Sequence, residues 1–144
     1  MNKTQKFFLF LSQVSMGWLF FYAGITKILN PEWSAEEYLK GAKMFTGFYQ
    51  FLLQPNILPV IDFINQWGLT LLGVSLILGV FVRLSSVLGA VLMLLYYLPI
   101  LDFPYPSPNS LIVDQHIVYM AVLLYFAAMG SRVGLVMLFR LFKA

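Results

Sequence analysis

Four uncharged, largely apolar runs divide the chain into segments of membrane-spanning length. The runs lie at residues 7–26, 63–82, 84–101 and 115–131. Each has about 17 to 20 residues, close to the roughly 20 that a helix needs to cross about 30 Å of hydrocarbon. With flanking apolar residues included, the predicted spans cover about residues 6–29, 61–82, 84–101 and 112–131. We predict a single domain over residues 1–144, with four spans.

The segment between the first two spans has a helical period of its own. Tyr38 and Leu39 begin a series of apolar positions at helical spacing, while Glu36 and Lys40 fall on the other side. This pattern predicts an amphipathic helix over about residues 35–53 that lies on the outer membrane face and covers the bundle. The predicted fold class is therefore all-α, an integral membrane four-helix bundle with an outer-face amphipathic helix between the first and second spans.

Composition supports a membrane protein and narrows the chemistry. Hydrophobic residues make up 60% of the chain and charged residues 10%, with a mean hydropathy of +0.82. This leaves too little polar surface to coat a water-soluble globule. The chain has no cysteine and one histidine, so we expect no structural metal site, no Fe–S cluster and no disulfide exchange. The partner is a lipid bilayer, and no nucleic acid is expected from a net charge of +3 without a basic patch.

Basic and acidic residues separate along the predicted topology. The predicted inner ends carry Lys3, Lys6, Arg83, Arg132, Arg140 and Lys143. The connections 27–62 and 102–114 hold all 6 acidic residues. By the positive-inside rule, both termini are predicted to be cytoplasmic in a multi-pass protein of the plasma (inner) membrane. Arg83 is interpreted as a topology anchor between the second and third spans.

Small residues predict which helix faces meet. Helices in lipid pack through small side chains, because the surrounding acyl chains are as apolar as leucine. Gly17 and Gly24 lie on one stripe of the first span, and this stripe continues to Lys27. On the second span, the predicted stripe includes Asn65 and Gly68. These stripes are expected to face the bundle.

Several polar residues fall at one predicted depth, near the outer ends of the spans. They are Lys27, Asn65, Tyr97 and His116, with Trp33 and Asp114 close to the same level. Ionisable groups inside a membrane are costly and usually face the bundle or water. Each residue also has a simpler explanation: Lys27 as a snorkelling anchor beside Glu32, His116 as a packing residue, and Trp33 as an interfacial aromatic. The convergence favours a site for a quinone headgroup, with Lys27 available to attract an anion.

Asp114 and His116 are two residues apart, or about 200° on a helix, so both cannot face inward if both are helical. We expect Asp114 to cap the fourth helix or to lie in its first turn, where the positive end of the helix dipole favours a carboxylate.

Three motifs carry a resemblance to a known family. They are "G-x-x-K-x-x-x-P-x-W" from Gly24 to Trp33, "L-x-L-G-x-F-x-R-L" around Arg83, and "D-x-H" at Asp114 and His116. With these motifs, nearly the whole chain resembles the DoxX/DoxD family of small four-helix membrane proteins. That family includes the membrane subunit of a thiosulfate:quinone oxidoreductase, and "NPEWS" brings this chain closer to that DoxD-type subunit. The resemblance implies a quinone-linked redox role at the outer face.

The function predicted from sequence is that of a membrane subunit of a quinone-linked oxidoreductase, with thiosulfate or a related reduced-sulfur donor. Its predicted cofactor is a quinone, and its predicted partner is a second oxidoreductase subunit or another copy of the chain. The alternative is a non-catalytic membrane scaffold or assembly factor for an envelope redox complex.

Overall fold

The computed structural model describes residues 1–130, together with positions 135 and 139. Residues 1–130 form six helices, α1 (Lys3–Leu29), α2 (Glu36–Lys40), α3 (Thr46–Leu52), α4 (Leu58–Leu78), α5 (Val82–Ile100) and α6 (Gln115–Met129). The all-α class is confirmed. The predicted end of the last span at residue 131 and the basic residues Arg132, Arg140 and Lys143 lie outside the described residues.

Three helices in the described part of the chain are long and apolar enough to cross a membrane. They are α1, α4 and α5, with mean hydropathies of 1.5, 1.5 and 1.6. The shorter apolar helix α6 has 15 residues, a length of about 22 Å at 1.5 Å per residue. Large apolar side chains on the outside of the helices, including Trp18, Leu71 and Leu88, are about half exposed or more, as expected of a surface that faces lipid. The chain is a helical membrane protein.

Helices α1 and α4 pack with their backbones in close approach at glycines. A Cβ atom added to Gly73 would lie 2.3 Å from the backbone nitrogen of Phe21 and 2.6 Å from the carbonyl oxygen of Gly17. Gly24 is equally restricted, since its Cβ would lie 2.5 Å from the backbone nitrogen of Thr70. The predicted stripe on α1 is therefore confirmed. On α4 the contact runs through Gly73 rather than Gly68, whose Cβ would meet no atom closer than 3.7 Å.

The connection between α4 and α5 is a tight turn at residues 79–81. Gly79 has a φ of 74°, and its N–H and that of Val80 both donate to the carbonyl oxygen of Ser75, which is how helices commonly end on a left-handed glycine. The prediction had placed this turn around Arg83 and extended the second span to residue 82. In the structure, Arg83 belongs to the first turn of α5, because the left-handed Gly79 ends α4 earlier.

The core lies where α1, α4, α5 and α6 meet. Phe20 of α1 approaches the surface of α5 at Gly89, where an added Cβ would lie 3.2 Å from both Phe20 and Leu123. The central side chains are almost fully buried: Phe20, Leu69, Leu76, Val82, Leu123 and Phe126.

The single amphipathic helix predicted over residues 35–53 is wrong. The structure has two short helices, α2 and α3, which we call the lid helices. Gly41 follows the last residue of α2, and Phe45 before α3 has a left-handed backbone with a φ of 51°, a conformation that a continuous helix does not allow. The break turns Leu39 and Tyr49 to the same interior, where they are 5% and 2% exposed.

The lid segment is anchored to the membrane-spanning helices on either side of α2. The backbone N–H of Ala35 donates to Oδ1 of Asp62 on α4 at 2.8 Å. The N–H of Lys43 donates to the carbonyl oxygen of Pro99 on α5 at 2.9 Å, and its ammonium lies 3.6 Å from the carboxylate of Asp102. The lid helices therefore bridge the ends of α4 and α5.

Candidate functional site

Asn65 lies in an irregular turn of α4. Residues Ile64–Gly68 form a π-helical segment, a feature that often occurs at functional sites because it shifts the register of side chains. The Nδ2 group of Asn65 donates to the carbonyl oxygen of Ile61 at 2.8 Å, and its Oδ1 accepts from the hydroxyl of Tyr96 on α5. The amide is buried, at 7% exposure, and holds α4 and α5 together at this level.

Proline interrupts the hydrogen bonds of α5 near its end. Pro99 has no N–H, so it cannot donate to the carbonyl oxygen of Leu95 four residues earlier. The hydroxyl of Tyr49 donates to that oxygen instead, at 2.8 Å. The hydroxyl of Tyr38 donates to the next carbonyl, that of Tyr96. Two lid-helix tyrosines thus supply hydrogen bonds to α5 inside an apolar environment, where an unpaired carbonyl is costly.

A cavity of about 490 Å³ lies beneath the lid helices, among α1, α4, α5 and α6. This volume is within the range of sites that bind small organic molecules. Aliphatic and aromatic side chains form most of its wall, with a few polar groups among them. The lining residues are Lys27, Trp33, Ser34, Ala35, Tyr38, Leu39, Tyr49, Leu52, Ile61, Ile64, Asn65, Leu92, Leu95, Tyr96 and His116.

Lys27 brings a positive charge to the cavity. It lies in the last turn of α1, and its Nζ atom is 5.0 Å from the ring centroid of Trp33 and 5.6 Å from that of Tyr96. Both distances are typical of cation–π contacts. Among residues 1–130, no carboxylate forms an ion pair with Lys27. Its ammonium therefore has charge available for a ligand.

His116 lies across the cavity and is held by Asp114. The side chain of Asp114 caps α6, as predicted, by accepting from the N–H groups of His116 and Ile117. Its second oxygen lies 2.6 Å from Nδ1 of His116. The imidazole approaches the Tyr96 ring edge-on, with 6.3 Å between centroids and an angle of 79°. The Tyr96 ring is therefore in contact with both the Lys27 ammonium and the His116 imidazole.

The structure brings together four of the six predicted site residues as cavity-lining groups. They are Lys27, Trp33, Asn65 and His116. Asp114 contacts His116 from outside the lining. Tyr97 does not line the cavity, since its hydroxyl donates to the carbonyl oxygen of Ile112. Its neighbour Tyr96 takes that place, because successive residues of a helix point about 100° apart.

Two of the lining residues, Tyr38 and Tyr49, were not assigned to the site from the sequence. The sequence signal that could have found them is Pro99, whose missing N–H requires a donor from elsewhere. Burial, and then the nearby Tyr49 and Asp114, raise the pKa of Tyr38 to about 12. Burial also raises the pKa of Tyr49. Both hydroxyls therefore keep their protons at neutral pH and act as donors.

The profile of the DoxX family matches residues 8–100, which is more than half of the chain. The chain belongs to the DoxX family. No curated protein matches this DoxX member, and no solved structure does. The matched region includes Lys27, Asn65 and Tyr96, whereas Asp114 and His116 lie beyond its end. The site of this DoxX protein is therefore completed by residues outside the matched segment.

Arg83 lies in the same DoxX segment but not at the cavity. Its Nε atom donates to the carbonyl oxygen of Ala127 at 3.2 Å, near the end of α6. Carbonyl groups at a helix C-terminus carry partial negative charge, so a guanidinium is favourable there. Arg83 thus connects the start of α5 to the end of α6.

Across residues 1–130, no three His, Asp or Glu side chains gather as metal ligands.

Proposed function

We propose that this DoxX protein binds the headgroup of a membrane quinone in the cavity beneath the lid helices, as a membrane subunit of a quinone-linked oxidoreductase. The observation that carries the proposal is the composition of the cavity wall. An ammonium, an imidazole and an amide line a space bounded mainly by aromatic and aliphatic side chains. A quinone has the matching chemistry, a flat apolar ring with two carbonyl oxygens that accept hydrogen bonds.

The donors of the site suit those oxygens. The ammonium of Lys27 contacts the rings of Trp33 and Tyr96, and a hydrogen bond from a charged donor contributes about 1.5–3 kcal/mol. His116 offers its second ring nitrogen from the other side of Tyr96. The rings of Trp33 and Tyr96 supply flat surfaces for the headgroup between these two donors.

The wall of the cavity also suits an isoprenoid tail. Ile64 of α4 and Leu95 of α5 line the cavity and are 48% and 37% exposed on the protein surface. Both apolar side chains are thus accessible to an isoprenoid tail. We propose that the quinone enters between α4 and α5 past Ile64 and Leu95, beside the hydrogen bond from Tyr96 to Asn65 that joins the two helices at this level.

The remaining parts of the proposal come from the resemblance to the DoxD-type subunit and from charge placement. We propose that α6 is part of a fourth span, that both termini are cytoplasmic, and that the cavity opens near the outer face of the plasma membrane. The electron donor is a reduced-sulfur anion such as thiosulfate, two of which release two electrons on joining to tetrathionate. A quinone takes up two electrons and two protons to become a quinol. A second subunit or another copy of the chain completes the enzyme.

The direct test is quinone binding by the protein purified in detergent. A short-chain ubiquinone analogue should bind the wild type saturably. Lys27→Met should weaken binding by about tenfold or more, because the charged donor is lost. Lys43→Met is the matched control, because Lys43 is a lysine paired with Asp102 outside this cavity, and it should bind as the wild type does.

Equal affinity of Lys27→Met and wild type, both folded by circular dichroism, would overturn the assignment of the cavity. If the wild type neither retains quinone on purification nor binds or reduces the analogue, the scaffold alternative is favoured instead.

A further inference from the structure

The two oxygens of the Asp114 carboxylate have different hydrogen-bond partners. Oδ1 accepts hydrogen bonds from the backbone N–H groups of His116 and Ile117, at 2.9 and 3.3 Å. Oδ2 lies 2.6 Å from Nδ1 of the His116 ring. Both side chains are largely buried, with 9% of Asp114 and 16% of His116 exposed. The aspartate thus both caps α6 and orients the imidazole.

This arrangement decides which ring nitrogen carries hydrogen. An ionised carboxylate can only accept hydrogen bonds, and the N-terminus of a helix favours the ionised form. The hydrogen between Oδ2 and Nδ1 therefore belongs to Nδ1. In the neutral ring Nε2 has a free lone pair, and the second proton of an imidazolium is gained and lost at Nε2.

The contacts of His116 orient its ring relative to the cavity. His116 lines the cavity, whereas Asp114, which holds the Nδ1 edge, does not. The opposite edge of the imidazole, with Nε2, therefore faces the space in which the headgroup is proposed to bind.

We propose that Asp114 is a positioning residue that keeps His116 in the Nδ1–H form, so that Nε2 of His116 exchanges a proton with the quinone oxygen. This inference rests on the proposed function. In the reductive direction, Nε2–H gives its proton to one carbonyl oxygen as two electrons arrive from the reduced-sulfur donor. The C=O double bond becomes a C–OH bond, and the His116 imidazolium becomes a neutral imidazole with hydrogen on Nδ1. Water supplies the proton for the other oxygen.

Groups on every neighbouring element influence this imidazole. Asp114 contacts its Nδ1 edge, and the Lys27 ammonium of α1 contacts the Tyr96 ring that the imidazole also meets. The hydroxyls of Tyr96 on α5 and Tyr38 on α2 are engaged as donors to Asn65 and to a backbone carbonyl. The imidazole thus has a carboxylate at its Nδ1 edge and an ammonium beyond the Tyr96 ring, while the two tyrosine hydroxyls are engaged elsewhere.

Asp114→Asn tests the role of the second oxygen while keeping the cap. Asparagine is as good an N-cap as aspartate, so its Oδ1 can retain the two backbone hydrogen bonds. Its NH₂ group then takes the place of Oδ2 and donates to Nδ1. The neutral ring must carry its hydrogen on Nε2, and the exchanging nitrogen becomes Nδ1, outside the cavity. Asp102→Asn is the matched control, because Asp102 pairs with Lys43 rather than with His116.

The first measurement is ¹⁵N NMR of the imidazole in the full-length protein in detergent, unambiguous because the chain has a single histidine. Wild type and Asp102→Asn should show the Nδ1–H form, and Asp114→Asn the Nε2–H form. An Nε2–H form in the wild type would overturn the inference, whatever the protein binds. If Asp114→Asn does not fold, Asp114→Ser also keeps a cap but removes the acceptor, and should show mainly Nε2–H.

The second measurement separates binding from proton transfer. Asp114→Asn should bind the ubiquinone analogue within about threefold of wild type, because its neutral ring carries Nε2–H and so presents the donor that the wild-type imidazolium presents. Its kcat for quinone reduction should fall by about 10²- to 10⁴-fold. Equal kcat values would overturn the proton-exchange role even if the NMR result holds. Failure of the wild type to bind quinone would overturn the proposed function and proton exchange together, and the NMR experiment would still decide the tautomer.

Discussion

The hydroxyl of Tyr49 on lid helix α3 donates to the carbonyl oxygen of Leu95 on α5, at 2.8 Å. Pro99, four residues after Leu95, is the residue whose missing N–H leaves that carbonyl without a partner in its own helix. The lid helices are therefore held at the break that the proline introduces, directly above the cavity.

Replacing Tyr49 by phenylalanine should destabilise the protein by about 1 kcal/mol, because a buried carbonyl loses its donor. Reversible unfolding in mixed detergent would measure the loss. In a Pro99→Ala background, the restored N–H of residue 99 can bond Leu95, so Tyr49→Phe should cost less than half as much there. The same cost in both backgrounds would show that the hydroxyl does not compensate for the proline.

Replacing Gly73 by alanine should destabilise the protein by about 1–3 kcal/mol or more. The added methyl group would lie 2.3 Å from the backbone nitrogen of Phe21, so α1 and α4 must move apart. Gly68→Ala on the same helix is the control, since its nearest neighbour would be 3.7 Å away. Thermal denaturation of both variants should separate them. A loss for Gly68→Ala as large as that for Gly73→Ala would contradict the observed packing.

Trp33 should report quinone binding through its fluorescence. It lines the cavity, whereas Trp18 and Trp67 are 57% and 44% exposed on the outside of the helices. A variant that retains only Trp33 should be quenched saturably by the ubiquinone analogue, and Lys27→Met should shift this curve to about tenfold higher concentration. A variant that retains only Trp18 should show only the linear quenching of quinone dissolved in the micelle. Saturable quenching of Trp18 alone would place the quinone elsewhere.

The proposed topology can be tested with single cysteines, because the chain has none of its own. Asn109→Cys, in the exposed connection between α5 and α6, should react with a membrane-impermeant maleimide in intact cells. Thr4→Cys, at the exposed start of α1, should react only after the membrane is permeabilised. The reverse pattern would invert the orientation and place the cavity at the cytoplasmic face.

Hydropathy by itself determined the membrane-spanning character, because a long apolar helix is stable in hydrocarbon whatever its neighbours are. It predicted the regions of α1, α4 and α5, and it also located α6. Local chemistry was equally informative at Asp114, since an aspartate before a helix satisfies N–H groups of its own chain. The packed face of α1 was also predicted from local sequence, because small residues at helical spacing indicate a face that packs against another helix.

Tertiary structure decided what depends on contacts between distant residues. The amphipathic helix predicted over residues 35–53 divides at residues 41–45, because Leu39 and Tyr49 are both buried against the bundle. The periodic pattern of apolar residues is compatible with one long helix as well as with two short ones.

The composition of the candidate site also depended on tertiary structure. Tyr96 rather than Tyr97 lines the cavity, and the adjacent tyrosines are chemically identical, so only the rotation of α5 against α4 and α6 separates them. Sequence placed Lys27 and His116 at one depth. Their common contact with the Tyr96 ring required the packed helices, because the order and rotation of helices in a bundle are set by side-chain packing between them.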